Sequence, residues 1–154
     1  LAVEYTISRA TPEDAAEMAP QMRQVDVTEL ADGWGRSPIQ ALSGSVQASS
    51  RAYTARADGD IVCMYGVGTR AILSPAGTIW MLGTELINVH ARQFLRKSAG
   101  QIERMGKDYV FLENYCDERN ALTIRWLRWL GFTIGKPKPY GLRGKPFCHF
   151  WKAV

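Results

Sequence analysis

The tripeptide Asp58-Gly59-Asp60 lies between two apolar runs, residues 52–57 and 61–68. A two-residue hairpin turn needs positive φ angles, and Asp-Gly supplies them at little steric cost. The middle of the chain is therefore expected to be an antiparallel strand pair. A second turn, Ser74-Pro75-Ala76-Gly77, extends the meander into an apolar strand at 78–82. A long helix is expected from Asn88 to Met105, with Val89, Phe94, Ala99, Ile102 and Met105 on its inner side and Gly106 as its stop. A short apolar strand follows at 109–113. Strand–helix–strand crossovers within one sheet are right-handed and leave the two strands parallel. Antiparallel pairs and a parallel pair together require one mixed sheet.

The flanking segments complete the order. Tyr5-Thr6-Ile7-Ser8-Arg9 alternates as a first strand, and Thr11-Pro12-Glu13-Asp14 carries a helix start: cap, proline at the first position, acids in the first turn. Helix one is expected to run to about Val25, burying Ala15, Met18, Ala19 and Met22, with Pro20 as a kink. Residues 30–38 read as a glycine-containing loop, and Ser37-Pro38 opens a second helix through Ala41, Leu42 and Val46 to about Ser49. Near the C-terminus, 117–130 reads as a helix ended by Gly131, then 132–134 and 147–151 as strands around a Pro/Gly-rich loop at 135–145. The predicted order is β-α-α-β-β-β-α-β-α-β-β: an α/β class, a single domain over 1–154, with helices on both faces of the sheet.

Composition narrows the function classes. A chain of 154 residues at 46% hydrophobic content suits one core. No apolar run approaches the ~20 residues of a membrane span, and Leu1-Ala2-Val3-Glu4-Tyr5 shows no basic and apolar leader pattern. Cys63, Cys116 and Cys148 form no metal or disulfide pattern, so a reducing cytoplasm is expected, and His90 and His149 make no metal-ligand cluster. The net charge of +4 gathers towards the C-terminal half. That excess suits a phosphorylated cofactor, an acidic partner or a solvated surface, and no nucleic-acid-binding module is recognisable.

The run Asn120-Ala121-Leu122-Thr123-Ile124-Arg125-Trp126-Leu127-Arg128-Trp129-Leu130-Gly131-Phe132, set just after an apolar strand, resembles the N-x-x-A-x-x-x-Y-x-x-x-G-F pattern of the GNAT N-acetyltransferases. The order of elements over nearly the whole chain is the order of that superfamily. Trp80-Met81-Leu82-Gly83-Thr84 and His90-Ala91-Arg92-Gln93-Phe94-Leu95-Arg96 are further similar to a tailed-phage set of GNAT-like proteins labelled internal virion protein A or putative acetyltransferase, as is the early run 22–30. Two departures stand out. Leu127 occupies the position where many members carry a tyrosine that protonates the leaving thiolate. Residues 83–94 also lack the glycine pair of the usual phosphate loop, with Ala91 alone matching its last small position.

The resemblance implies acetyl-CoA as co-substrate and an amine of a small molecule or protein as acceptor. The alternative it leaves open is a non-catalytic phage protein that binds a host or virion partner. The cofactor is expected along Met81, Leu82 and Gly83, with its phosphates near His90, Ala91, Arg92 and Arg96 and with Asn120 beside the channel. Glu85 reads as a base past the fourth strand or as a helix acid favoured by the dipole. Asp26 and Glu29, expected at the end of helix one, read as acceptor-side carboxylates that would favour a protonated amine, or as a surface pair. Tyr115, expected just after the 109–113 strand, stands in for the missing acid. Trp34 reads as a pocket wall or a core cover.

Overall fold

The computed structural model describes residues 2–69, 71 and 73–154. Strand β1 (Tyr5–Arg9) leads to helix α1 (Pro12–Met18), where Thr11 and Asp14 close a reciprocal capping box. Helix α1 stops at Met18 because Pro20 sits in the next turn, a 3₁₀ segment at Ala19–Gln21. Helix one therefore does not reach Val25. Met22 instead bridges Thr84, and the Arg23 N–H donates to the Gly83 carbonyl at 2.9 Å.

A separate helix α2 (Gln24–Trp34) occupies much of the span expected as a loop. It closes on Gly35 at φ 63°, whose N–H donates to Ala31 and Leu30 carbonyls. Asp26 and Glu29 thus lie within a helix rather than at the end of one. Helix α3 (Pro38–Ala48) follows under a second capping box, Ser37 with Gln40.

Strands β2 (Ser49–Ala57) and β3 (Asp60–Gly68) form the expected hairpin, and β4 (Ala76–Gly83) extends it. Ala76 and Gly77 belong to the strand rather than to the turn before it. The long helix is broken: α4 (Leu86–Val89) and α5 (Ala91–Met105) meet at His90, whose φ of −104° and ψ of 23° leave the helical region. The break turns Val89 outward, 72% exposed, and Ala99 is exposed as well. Ser98, Ile102 and Met105 are the buried positions of α5.

Strand β5 (Phe111–Asp117) lies further along the chain than expected, which puts Tyr115 inside it. Helix α6 (Ala121–Trp129) and strands β6 (Thr133–Ile134), β7 (Lys138–Tyr140) and β8 (Lys145–Ala153) complete the chain.

The sheet order is β1-β2-β3-β4-β5-β8-β6, with β7 on β8. All pairs are antiparallel except β4 with β5. Each face carries its own apolar layer. Helices α1–α3 bury Met18, Leu42 and Leu30 against Ile61, Met64 and Leu82, whereas α4–α6 bury Ile87, Ile102 and Trp126 against Val62, Val67, Leu112 and Phe150. Each such side chain contributes about 1.5–3 kcal/mol on leaving water. Among the described residues no helix is long and apolar enough to cross a membrane.

Candidate active site

The parallel pair β4/β5 is short. It joins Ala76 to Phe111, Gly77 to Leu112 and Thr78 to Glu113, and then the strands diverge. Strand β5 stays in register with β8 along its whole length, so the divergence opens a gap between the two parts of the sheet. The Asn114 side chain spans its first step, donating from Nδ2 to the Ile79 carbonyl at 2.6 Å. A side-chain amide there replaces the ladder bond that the divergence removes.

Antiparallel ladders alternate between residues facing the partner strand and residues facing away. The Gly83 N–H and C=O both face away from β3, since one meets Asp26 and the other Arg23. Two residues back, the Met81 N–H and C=O therefore face the gap, and those of Leu82 face β3. Of the three β4 residues expected along a cofactor, Met81 offers its backbone, Leu82 contributes its side chain to the wall, and the Gly83 backbone is already engaged.

Helix α2 lies across the wide end of the gap. The Asp26 carboxylate accepts the Gly83 N–H of β4 at 2.8 Å, and the Glu29 carboxylate accepts the Asp117 N–H of β5 at 3.1 Å. Asp26 is further held by Arg23 Nε at 2.7 Å and Nη2 at 3.2 Å, with both residues buried. The same guanidinium donates to Thr123 and lies 6.0 Å from the Trp126 ring, which ties α2 to α6. Asp26 is a structural carboxylate. Burial pushes its pKa up against the pull of Arg23.

Glu29 differs. Among the described residues it has no cationic partner; besides Asp117 it accepts Asn120 Nδ2 at 3.5 Å and stands 3.9 Å from the Cys116 sulfur. Burial, then the neighbouring Asp26 charge, raises its pKa to about 7, against the pull of the Asp117 and Asn120 donors. A carboxyl in that range exchanges a proton near neutrality.

The gap opens into a cavity of about 430 Å³. On one side its wall includes Leu30, Trp34, Ala41 and Trp80; on the other, Phe94, Ile102, Trp126 and Leu127; Ile79, Met81, Asn114 and Tyr115 form the waist, with Glu29 at its edge. The cavity therefore passes through the sheet. Trp34 stands edge-on to Tyr140 and Phe147, at 6.2 and 6.0 Å between centroids, and Tyr140 stacks on Tyr115 at 3.9 Å. The hairpin that carries Tyr140 is pinned to α2, with Leu142 N–H on the Gly33 carbonyl and Arg143 on Asp32 at 3.0 Å.

The remaining expected residues divide. Glu85 is exposed, accepts Asn88 Nδ2 at 3.1 Å and does not line the cavity. Asn120 is buried and directed at Glu29, which borders the cavity. His90, Ala91, Arg92 and Arg96 surround the start of α5, with both arginines exposed. The first intrahelical bond there runs from Phe94 N–H to the His90 carbonyl, so the amides of Ala91, Arg92 and Gln93 face out of the helix end. Within the stretch where the resemblance expects a glycine-rich phosphate loop, the chain forms the one-turn helix α4. Sequence reasoning missed Asn114 and the Asp117 amide. The available signal was an Asn–Tyr–Cys–Asp run continuing the strand in the same alternation.

No family model matches the chain, and no curated protein matches it. Solved structures match over almost the whole length. The yncA protein from Salmonella typhimurium, solved with its cofactor acetyl-CoA, gives a TM-score of 0.71 at 15% identity, covering 97% of this chain and 93% of that one. A GNAT-family acetyltransferase from Streptococcus pneumoniae gives 0.66 at 15%, covering 98% and 99%. Spermidine N-acetyltransferase from Vibrio cholerae, in complex with CoA and spermine, gives 0.70 at 7%, covering 97% and 95%. Identities this low speak for architecture alone, and on that ground the chain has the fold of the GNAT acetyltransferases.

Proposed function

We propose that this protein is an acyl-CoA-dependent N-acetyltransferase that transfers an acetyl group to a primary amine of a small molecule or protein. The observation that carries the reading is the passage through the sheet with Met81 backbone on one edge and Glu29 on the other. The fold neighbours solved with acetyl-CoA, or with CoA and spermine, support it.

The residues present suit such a thioester. Met81 offers an amide and a carbonyl where a pantetheine arm would lie, and the amides at Ala91–Gln93 with Arg92, Arg96 and His90 form an anion-favouring end for the phosphates. When bound, the thioester supplies the acyl group: its carbonyl carbon bonds to the amine nitrogen, and the C–S bond breaks. Glu29 takes the proton that the ammonium loses before attack, and the second proton, shed by nitrogen as the amide forms, replaces the one delivered to the thiolate. The Met81 N–H is set to donate to the oxygen that gains charge. Leu127 has no proton to give, so the Tyr115 hydroxyl, or water, protonates the departing thiolate. Trp34 and Tyr115 wall the acceptor side, and Glu29 favours a protonated, polyamine- or lysine-like amine over an acidic metabolite. Asp26 and Glu85 have no step in this scheme, and Asn120 acts by orienting Glu29.

A second reading is kept by one observation: helix α4 stands in the stretch of chain where the resemblance expects the glycine-rich phosphate loop. A non-catalytic phage protein of this fold, binding a host or virion partner, would tolerate that departure. Acetyl-CoA separates the two readings. At ten times its Kd it should stabilise the protein by about 1.4 kcal/mol, raising Tm. An unchanged Tm at millimolar acetyl-CoA would leave only the binding protein.

A further inference from the structure

Three residues that line the cavity carry charge: Glu29, Arg36 and Lys97. Glu29 is the proposed base, and Lys97 Nζ stands 5.3 Å from the Tyr5 ring centroid on the α5 side. Arg36 lies on the side of α2 and α3, and the scheme above gives it no step. Helix α2 ends in a Schellman turn, with the Gly35 N–H on the Ala31 carbonyl at 3.1 Å and the Arg36 N–H on the Leu30 carbonyl at 3.3 Å. That turn brings Arg36 back beside the helix end. A methyl group on Gly44 of α3 would stand 3.3 Å from Arg36 Nη1, so the guanidinium rests against bare backbone that is itself cavity wall. Ala41, Ser45 and Ala48 continue this wall at helical spacing, all of them small. Trp34 and Trp80 add apolar surface, Trp80 being held by its Nε1 donating to Ser49 Oγ at 2.8 Å. Arg36 is exposed and therefore stands at the mouth of the chamber. Among the described residues it has no ion-pair partner. The carboxylate of Asp32, near the same helix end, is taken by Arg119 at 2.7 Å and Arg143 at 3.0 Å.

A guanidinium presents its donors in a rigid fork that matches a carboxylate. The chamber thus holds a base at its waist and an unpaired fork at its mouth, with small and aromatic side chains between them. We infer that the acceptor is an amino acid: Glu29 serves its amine, and Arg36 receives its carboxylate. This rests on the acetyltransferase reading above and narrows the amines that Glu29 alone would favour. A polyamine brings a second ammonium into a space whose two other charges, Arg36 and Lys97, are both cationic, and like charges count against it. A lysine-like amine carries the group that answers Arg36. The bond making is unchanged: the amine nitrogen gains the acetyl carbon, the C–S bond breaks, and the carboxylate takes no part. Arg36 sets specificity and has no role in the chemical step.

The test uses two matched pairs of acceptors, lysine with cadaverine and phenylalanine with phenethylamine, the members of each pair differing by one carboxylate. With acetyl-CoA as donor and thiol release as the readout, kcat/KM for the amino acid should exceed that for its partner amine about ten-fold in at least one pair, the worth of one charge-assisted contact at a solvent-exposed mouth. The gain should lie in KM, as for a contact made equally in ground and transition states. Arg36→Ala should bring that ratio near unity, and Arg36→Lys, which keeps the charge without the fork, should retain part of it. Ratios at or below unity in both pairs, or a ratio that survives Arg36→Ala, would overturn the inference. So would an enzyme that binds acetyl-CoA by thermal shift and acetylates none of the four, with the cofactor reading left standing. If acetyl-CoA does not bind, the acetyltransferase reading is lost, and the inference with it.

Discussion

Asp26 and Glu29 stand one turn apart on α2 and hold opposite sides of one opening, Asp26 at the Gly83 N–H of β4 and Glu29 at the Asp117 N–H of β5. Their surroundings assign them different work. Arg23 ion-pairs with Asp26 and holds it in place; among the described residues Glu29 has only neutral donors, and its pKa is raised to about 7. Two carboxyls with separated environments are a recurring basis for dividing structural from acid–base roles.

Removing the fixed partner should be expensive. Asp26→Ala leaves Arg23 charged in the interior, and truncation of one partner of a buried pair costs about 3–5 kcal/mol. Urea unfolding should show that loss. The double variant Arg23→Met with Asp26→Leu should recover part of it, since no charge is then stranded. Equal instability of both would mean that the Gly83 contact, rather than the ion pair, carries the stabilisation.

Glu29→Gln should affect stability and turnover in different ways. The folded state holds the Glu29 proton to about pH 7, whereas the unfolded chain releases it near 4.5. The native state thus binds more protons between those values, and this residue's contribution makes stability fall as pH rises through that window, by roughly 3 kcal/mol in full. The Gln variant should lose that slope. Catalysis runs the other way, because only the deprotonated base can accept a proton. Wild-type kcat/KM should rise with pH and level off above about 7, and the variant should lie roughly 10²–10⁴-fold lower. A profile without that inflection would remove Glu29 as the base.

Asn120→Ala tests the positioning of that base. Its amide favours the charged form of Glu29, so its loss should move the inflection in kcat/KM to higher pH. A purely structural role would reduce stability and leave the inflection in place.

Tyr115→Phe should lower kcat with little change in the KM for amine, the pattern of a contact made in the transition state. Turnover equal to wild type would assign thiolate protonation to water. At the other end of the cofactor path, Arg92→Ala and Arg96→Ala should each weaken CoA binding by about 1–2 kcal/mol, as for a charge-assisted contact. Calorimetry that finds both unaltered would move the phosphates away from α5.

The hairpin at Asp58-Gly59, the β4–α5–β5 crossover and the α6-Gly131-Phe132 run were legible because each rests on local chemistry: a turn dipeptide, a helical period, a stop. Helix α2 was not. Two of its four buried positions are Asp26 and Asp32, paired with Arg23, Arg119 and Arg143. An inner face built from charges that find partners up to 111 residues away presents no apolar stripe to read. Glu29 was identified as a candidate on grounds that were partly wrong. Asp26 and Glu29 do share α2, but Asp26 is taken up by Arg23 and Gly83, and Glu29 is set apart by the Asp117 amide, Asn120 and burial. The break at His90 was equally hidden, since Leu86–Val89 alone reads as helix.

The short seam between β4 and β5 gives the molecule a mechanical asymmetry. Three rungs fasten the strands at one end, and the seam is packed tightly enough that a methyl group on Gly77 would fall 2.8–2.9 Å from Val67, Tyr109 and Leu112. That end is a fulcrum. At the other, two carboxylates on one helix serve as a clasp, Asp26 ion-paired with Arg23 and Glu29 raised to about 7. Protonating Glu29 weakens its hold on the Asp117 amide and leaves Asp26 fastened to β4. On the proposed acyltransferase reading, the proton transfer that activates an amine would then also weaken the contact that holds β5 to α2.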